Sequence, residues 1–149
     1  MGKVNFKDVQ KLAEGAIVFQ KYISEHCKTT NATTALSQLF VADHYNGNCV
    51  NAKGYDVVTE DGKRIQVKGK WCRNDKPSGA SGGWIMGEEH DADLWVFVGF
   101  NSNYELIYAL ELTPDQVITE RSCLDNRTPN KATLSITKKL LKKYKNLIE

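Results

Sequence analysis

Residues 54–70, GYDVVTEDGKRIQVKGK, constrain the fold of this chain more than any other stretch. Two runs of alternating polar and apolar side chains, rich in Val and Ile, flank Glu60-Asp61-Gly62, and this pattern predicts a β-hairpin. Residues two apart on a strand share a face. Ile65 and Val67 therefore lie on one side, and Arg64, Gln66, Lys68 and Lys70 on the other. The turn decides where Asp56 falls. A two-residue Asp61-Gly62 loop sets Asp56 opposite Val67, among the apolar side chains. A three-residue loop pairs Thr59 with Lys63 and sets Asp56 opposite Gln66. Three-residue hairpin loops end in a left-handed residue, usually Gly, and Gly62 stands at that place. Opposed Cβ atoms start about 4.5–5.5 Å apart. The longer loop thus gathers Asp56, Gln66 and Lys68 into one patch.

The 149 residues, 41% apolar and 26% charged, suit a single domain spanning 1–149 with a core of useful size. No apolar run is long enough for a membrane span. The first residues, MGKVNFKDVQ, lack a signal-peptide pattern, so the expected location is the cytoplasm. Cys27, Cys49, Cys72 and Cys123 form no C-x2-C pair, and reduced thiols are expected. Residues 4–26 carry Val4, Val9, Leu12, Ala16, Phe19 and Ile23 at helical spacing. A second helix is expected over ALSQLFVADHY, capped by Thr33 or Thr34 and stopped at Asn46-Gly47. RNDKPSGASGG has loop composition and no P-loop ending. DLWVFVGF predicts a strand buried on both faces, turned back at Asn101-Ser102-Asn103 into YELIYALEL. Thr113-Pro114-Asp115-Gln116 marks a helix start. Residues 126–130 are expected to be loop, and ITKKLLKKYKNLIE a terminal helix. The sum is an α/β fold with a central mixed, mostly antiparallel sheet flanked by helices.

Asp56, Gln66 and Lys68 together have a chemical use. A hard divalent cation takes oxygen ligands, commonly one or two carboxylates with water and substrate phosphate. Asp56 offers a charged oxygen and Gln66 a neutral one. A lysine beside them can orient or deprotonate a water and neutralise charge growing on phosphorus. These are parts of a phosphodiester hydrolase.

The pattern D-x(n)-[D/E/Q]-x-K across a hairpin resembles the PD-(D/E)XK nucleases, the restriction endonuclease-like superfamily. Asp56, Gln66 and Lys68 carry the match. The preceding helix, the Gly-Tyr before Asp56 and the later buried strand extend it over residues 35–113. The resemblance implies a restriction endonuclease-like core and an Mg²⁺-dependent DNA endonuclease, with Mn²⁺ as a substitute. It implies a restriction, defence or mobile-element setting, Asp56 and Gln66 as metal ligands, and Lys68 as the third catalytic residue. It also implies a homodimer, for which the first amphipathic helix is the candidate interface. This sequence departs from the family where Gln66 replaces the commoner acid. A helix Glu that many members add has Gln38 at the matching position, with Glu14 as the other candidate.

Six Lys or Arg residues against one Asp between Lys63 and Lys76 suit a polyanion, and Lys63, Arg64, Lys70 and Arg73 are candidate DNA phosphate contacts. Trp84, beside the Gly-rich stretch, is a candidate for stacking on a base. Two other readings stay open: a nuclease-fold binding or accessory subunit without competent catalysis, and an ordinary hairpin whose polar face is merely solvated.

Overall fold

The computed structural model describes residues 5–77, 79–123, 127 and 129–149. Val4 and, in the expected 126–130 loop, Asn126 and Thr128 lie outside them. The described chain is a mixed α/β fold of three layers around a five-stranded mixed sheet. Strands β1 (Gly47–Ala52), β2 (Tyr55–Thr59), β3 (Arg64–Trp71), β5 (Leu94–Phe100) and β6 (Leu106–Leu112) form this sheet in that spatial order. All neighbours are antiparallel except β3 and β5, which run parallel.

The parallel pair needs a crossover. The chain supplies it with β4 (Ala80–Ile85) and a 3₁₀ turn (Glu88–Asp91). β4 joins a second sheet, in the order β4-β8-β7, with β7 (Ser122–Cys123) and β8 (Lys131–Ser135). The stretch expected to be loop therefore becomes strand from Ala80 onward. Only Ser81 and Trp84 point inward there, too little apolar signal to outweigh the glycines.

Helices α1 (Phe6–Cys27) and α2 (Ala32–His44) precede the sheet. α2 covers one sheet face, packing Val41 and Ala42 on Val57, Ile65, Val67, Val96 and Val98. Its cap is Asn31 rather than Thr33 or Thr34: the Asn31 side chain accepts the Thr34 N–H at 2.9 Å. The small sheet covers the opposite face, with Trp84, Ala132 and Leu134 on Trp95, Phe97, Leu110 and Leu112. α3 (Pro114–Glu120) starts with the expected capping box of Thr113 and Gln116. α4 (Lys138–Lys143) is far shorter than the expected terminal helix. The chain leaves it to bond β6, with the Leu147 N–H donating to the Ala109 carbonyl at 2.8 Å. No described helix is long and apolar enough to cross a membrane.

Candidate active site

The hairpin turn has the three-residue form. Val57 pairs with Ile65 and Val58 with Arg64, the Thr59 N–H donates to the Lys63 carbonyl at 3.0 Å, and Gly62 takes a left-handed φ of 83°. Continuing this register sets Asp56 across from Gln66. The paired ladder stops at Val57 and Ile65, however, and the two strands part there.

Asp56 fills the fork. Alternation along β3 aims the Val67 N–H at β2, where a longer ladder would offer a backbone carbonyl. Asp56 Oδ2 accepts that N–H at 2.8 Å instead. The same oxygen accepts Gln66 Nε2 at 2.5 Å, and Oδ1 accepts Gln38 Nε2 at 3.2 Å. Gln66 Nε2 also approaches the Val67 carbonyl at 3.4 Å. Gln38 comes from α2, whose position is set by Gly69. A Cβ at Gly69 would lie 2.0 Å from Ser37 Oγ and 3.0 Å from the Thr33 carbonyl oxygen, so only glycine lets the helix sit this close.

Lys68 stands two residues beyond Gln66 and is half-buried, its ammonium 5.9 Å from the centre of the Trp95 ring. It lines a cleft of about 520 Å³ with Gly83, Trp84, Ile85, Glu88 and Lys131. Burial pushes the Asp56 carboxyl above its ordinary range, against the Val67 N–H, the Lys68 charge and the Gln66 amide. Burial likewise pushes the Lys68 ammonium down, opposed by Asp56 and then Glu88. The two shifts bring the proton affinities of the carboxyl and the ammonium closer together.

The fork holds the Asp56 carboxylate, the Val67 carbonyl, and the Gln38 and Gln66 amides, which turn their nitrogens to Asp56. The amide oxygen of Gln38 is buried with no hydrogen-bond partner, although the nitrogen of the same amide serves Asp56. Turning over the two amides would aim both oxygens at the carboxylate. That donor set fits a hard cation such as Mg²⁺ or Mn²⁺, with one formal negative charge and open positions for water or phosphate. No group of three or more His, Cys, Asp or Glu gathers among the described residues.

Other candidates fall elsewhere. Glu14 is exposed on a stretch of α1 that is uncovered from residue 6 to residue 18. Arg64 is held by Asp93, with Nε to Oδ2 at 3.2 Å and Nη2 to Oδ1 at 3.0 Å, so its charge is already engaged. Lys70 donates to the Ala80 carbonyl at 3.0 Å and fastens β4 to β3. Lys63 and Arg73 are exposed. Trp84 is 5% exposed and packs 4.8 Å from the Trp95 ring, so its ring face is core and stacks on no base.

Glu88 and Lys131 were not singled out from sequence. They reach Lys68 from the crossover and from the second sheet, elements distant along the chain. The cue for Glu88 was local: Gly87, at a φ of 96°, opens the acidic 3₁₀ turn. Its neighbour Glu89 is the anchor, buried and paired with Arg121, and it accepts Trp84 Nε1 at 3.3 Å and the Gly87 N–H at 2.7 Å.

No family model matches this chain, and no curated protein is significantly similar to it.

Proposed function

We propose that the protein is a metal-dependent endonuclease hydrolysing DNA phosphodiester bonds, built on a restriction endonuclease-like core with a Q-x-K form of the motif. One observation carries the reading: Asp56 sits in the fork between β2 and β3, held by Val67, Gln66 and Gln38, with Lys68 next along the strand. Asp56, Gln66, Gln38 and the Val67 carbonyl are the residues that would hold Mg²⁺ or Mn²⁺. Once bound, the cation would polarise a phosphoryl oxygen and acidify water. Lys68 orients the attacking water, and because burial disfavours its charged form, Nζ can take a proton from it. Recharged, it neutralises an oxygen of the phosphate. The apolar wall of Trp84 and Trp95 keeps Lys68 poorly solvated, which strengthens that attraction. Lys63, Arg73 and Lys131 are exposed and would meet neighbouring phosphates.

A second reading has its own observation. A single carboxylate, with both oxygens already serving N–H donors, is a weak cation site, and this favours a nuclease fold that binds nucleic acid without cutting. Incubation of circular plasmid with Mg²⁺, Mn²⁺ or EDTA separates the two. Nicked or linear DNA only with the cation supports catalysis. Salt-sensitive binding that survives EDTA, with the plasmid intact, supports the binding subunit.

A further inference from the structure

The cleft beside Lys68 carries an acid that the proposed chemistry does not use. Lys68 and Lys131 bring two cations to its lining, and Glu88 brings one anion. Among the described residues, no hydrogen bond or ion pair engages the Glu88 carboxylate or the Lys131 ammonium. The place of Glu88 is nonetheless fixed. Gly87 opens its 3₁₀ turn at a φ of 96°, and the buried Glu89 carboxylate accepts the Gly87 N–H at 2.7 Å. The Glu89 carbonyl accepts Trp95 Nε1 at 2.8 Å, and it is the Trp95 ring that the Lys68 ammonium faces. One anchor thus holds both the turn of Glu88 and the ring beside Lys68. Lys131 arrives from β8, paired with Ile85 of β4, and the Met86 N–H closes the two strands by donating to the Asn130 carbonyl at 2.8 Å.

Bare backbone forms part of the wall. β4 sets two residues, Gly82 and Gly83, opposite Thr133 alone, between the pairs Ser81–Leu134 and Trp84–Ala132. This is a bulge without side chains, and Gly83 lines the cleft. Glycine in a strand at such a place lets a ligand come close to the backbone.

We infer that Glu88 is a specificity-determining residue of a phosphate subsite, which accepts the single charge of a phosphodiester and rejects the double charge of a terminal phosphate. The lining holds one positive charge in excess, and a phosphodiester neutralises it. A phosphate monoester has a second pKa of about 6 and carries close to two negative charges above neutrality. It leaves one of them uncompensated near Glu88, beside the apolar Trp84 and Ile85, where charges are screened less than in open water. Asp56 does not line the cleft, and its charge is held by the Val67, Gln66 and Gln38 donors. The Glu88 charge does reach Lys68, whose ammonium it favours. A like charge set against the wrong ligand separates two phosphates that share their other features. The occupant's chemistry rests on the phosphodiester reading above, whereas the selection needs neither a metal nor cutting.

NMR titration of the full chain in EDTA, at about pH 8 so that the monoester is a dianion, tests this through the Lys68, Ile85 and Lys131 signals. The probes are thymidylyl-thymidine, with one phosphodiester, and thymidine 5′-monophosphate. The parent protein is expected to bind the diester at least as tightly as the monoester. Coulomb energy is linear in ligand charge, so a gain of about 3-fold for the diester in Glu88→Gln becomes about 10-fold for the monoester. Lys131→Ala is expected to weaken both probes, the monoester more. Equal gains for the two probes in Glu88→Gln overturn the inference, as does binding of neither up to about 20 mM. Plasmid cutting is scored separately. Selection without cutting keeps the subsite and overturns the nuclease reading, and cutting without selection does the reverse.

Discussion

Replacing Gly69 with Ala tests how the candidate site is held together, because the consequence follows from three distances. The new Cβ meets Ser37 Oγ at 2.0 Å, Ser37 Cβ at 2.9 Å and the Thr33 carbonyl oxygen at 3.0 Å. Rotating the Ser37 hydroxyl away relieves only the first contact and breaks its 2.7 Å bond to the Thr33 carbonyl. The other two persist unless α2 lifts from β3. Overpacking of this kind costs about 1–3 kcal/mol, and the lost hydrogen bond about 1 kcal/mol more. Replacing glycine returns about 0.4–1 kcal/mol by restricting the unfolded chain. The net expectation is about 2 kcal/mol of destabilisation, or roughly 6 °C in Tm for a chain of this size. Urea titration in EDTA reads it directly. Ser37→Gly in the same chain removes two of the three contacts and leaves the Thr33 carbonyl oxygen. Though costly alone by about 1 kcal/mol, it is expected to couple favourably with Gly69→Ala by at least about 1 kcal/mol. A Gly69→Ala protein within about 0.5 kcal/mol of the parent refutes the close seating of α2, and with it the placement of Gln38 on Asp56.

Three further outcomes concern Asp56, Arg121 and Gln66. Asp56→Asn in EDTA is expected to be at least as stable as the parent at neutral pH. Gln38 can turn its unpartnered oxygen to the new amide, whereas Asp56→Ala orphans buried donors and costs about 1–3 kcal/mol. The sign with pH is fixed by the raised Asp56 carboxyl. Its stability contribution is fully present below the unfolded value of about 3.9 and is lost as pH rises through the folded value. The advantage of Asn must therefore grow with pH in urea titrations, and a constant or shrinking difference contradicts it. Arg121→Ala leaves the buried Glu89 carboxylate without its cation and is expected to cost about 3 kcal/mol in the same assay; a loss below about 1 kcal/mol shows that Glu89 is solvated or protonated. Gln66→Glu adds a second carboxylate beside Asp56. It should lower stability in EDTA and raise the Tm gain from about 10 mM Mg²⁺ by at least about 3 °C over the parent; an equal gain argues against cation binding in the fork.

The parts of the fold written in local chemistry were legible in the sequence. Gly62 specified the loop length and hence the Asp56–Gln66 register, and Thr113, Pro114 and Gln116 specified the start of α3. Gln38 stood where the family resemblance implies a helix Glu, and it does contact Asp56. What failed depended on contacts between distant segments. β4 is nearly featureless by pattern because Ala80, Ser81, Gly82 and Gly83 bury little, and its pairing with β8 supplies what the sequence does not advertise. β8 turns Ala132 and Leu134 inward, but Thr133 between them is buried too, so it offers no clean alternation between a loop and a basic helix. The terminal helix ended early because Asn146 and Leu147 bond to β6. Glu88 and Lys131 join Lys68 only through the crossover and the second sheet, so no spacing rule could have found them.

The proposed joint action of Asp56 and Lys68 on a phosphodiester bond can be read from one measurement. Single-turnover cleavage of supercoiled plasmid, with DNA affinity measured in parallel, tests it most directly. The parent protein is expected to cut in Mg²⁺ or Mn²⁺ and not in EDTA. Both Asp56→Ala and Lys68→Ala are expected to lose at least about 100-fold, with DNA affinity within a few-fold of the parent. Undiminished cutting by both variants, or cutting by the parent in EDTA, contradicts it.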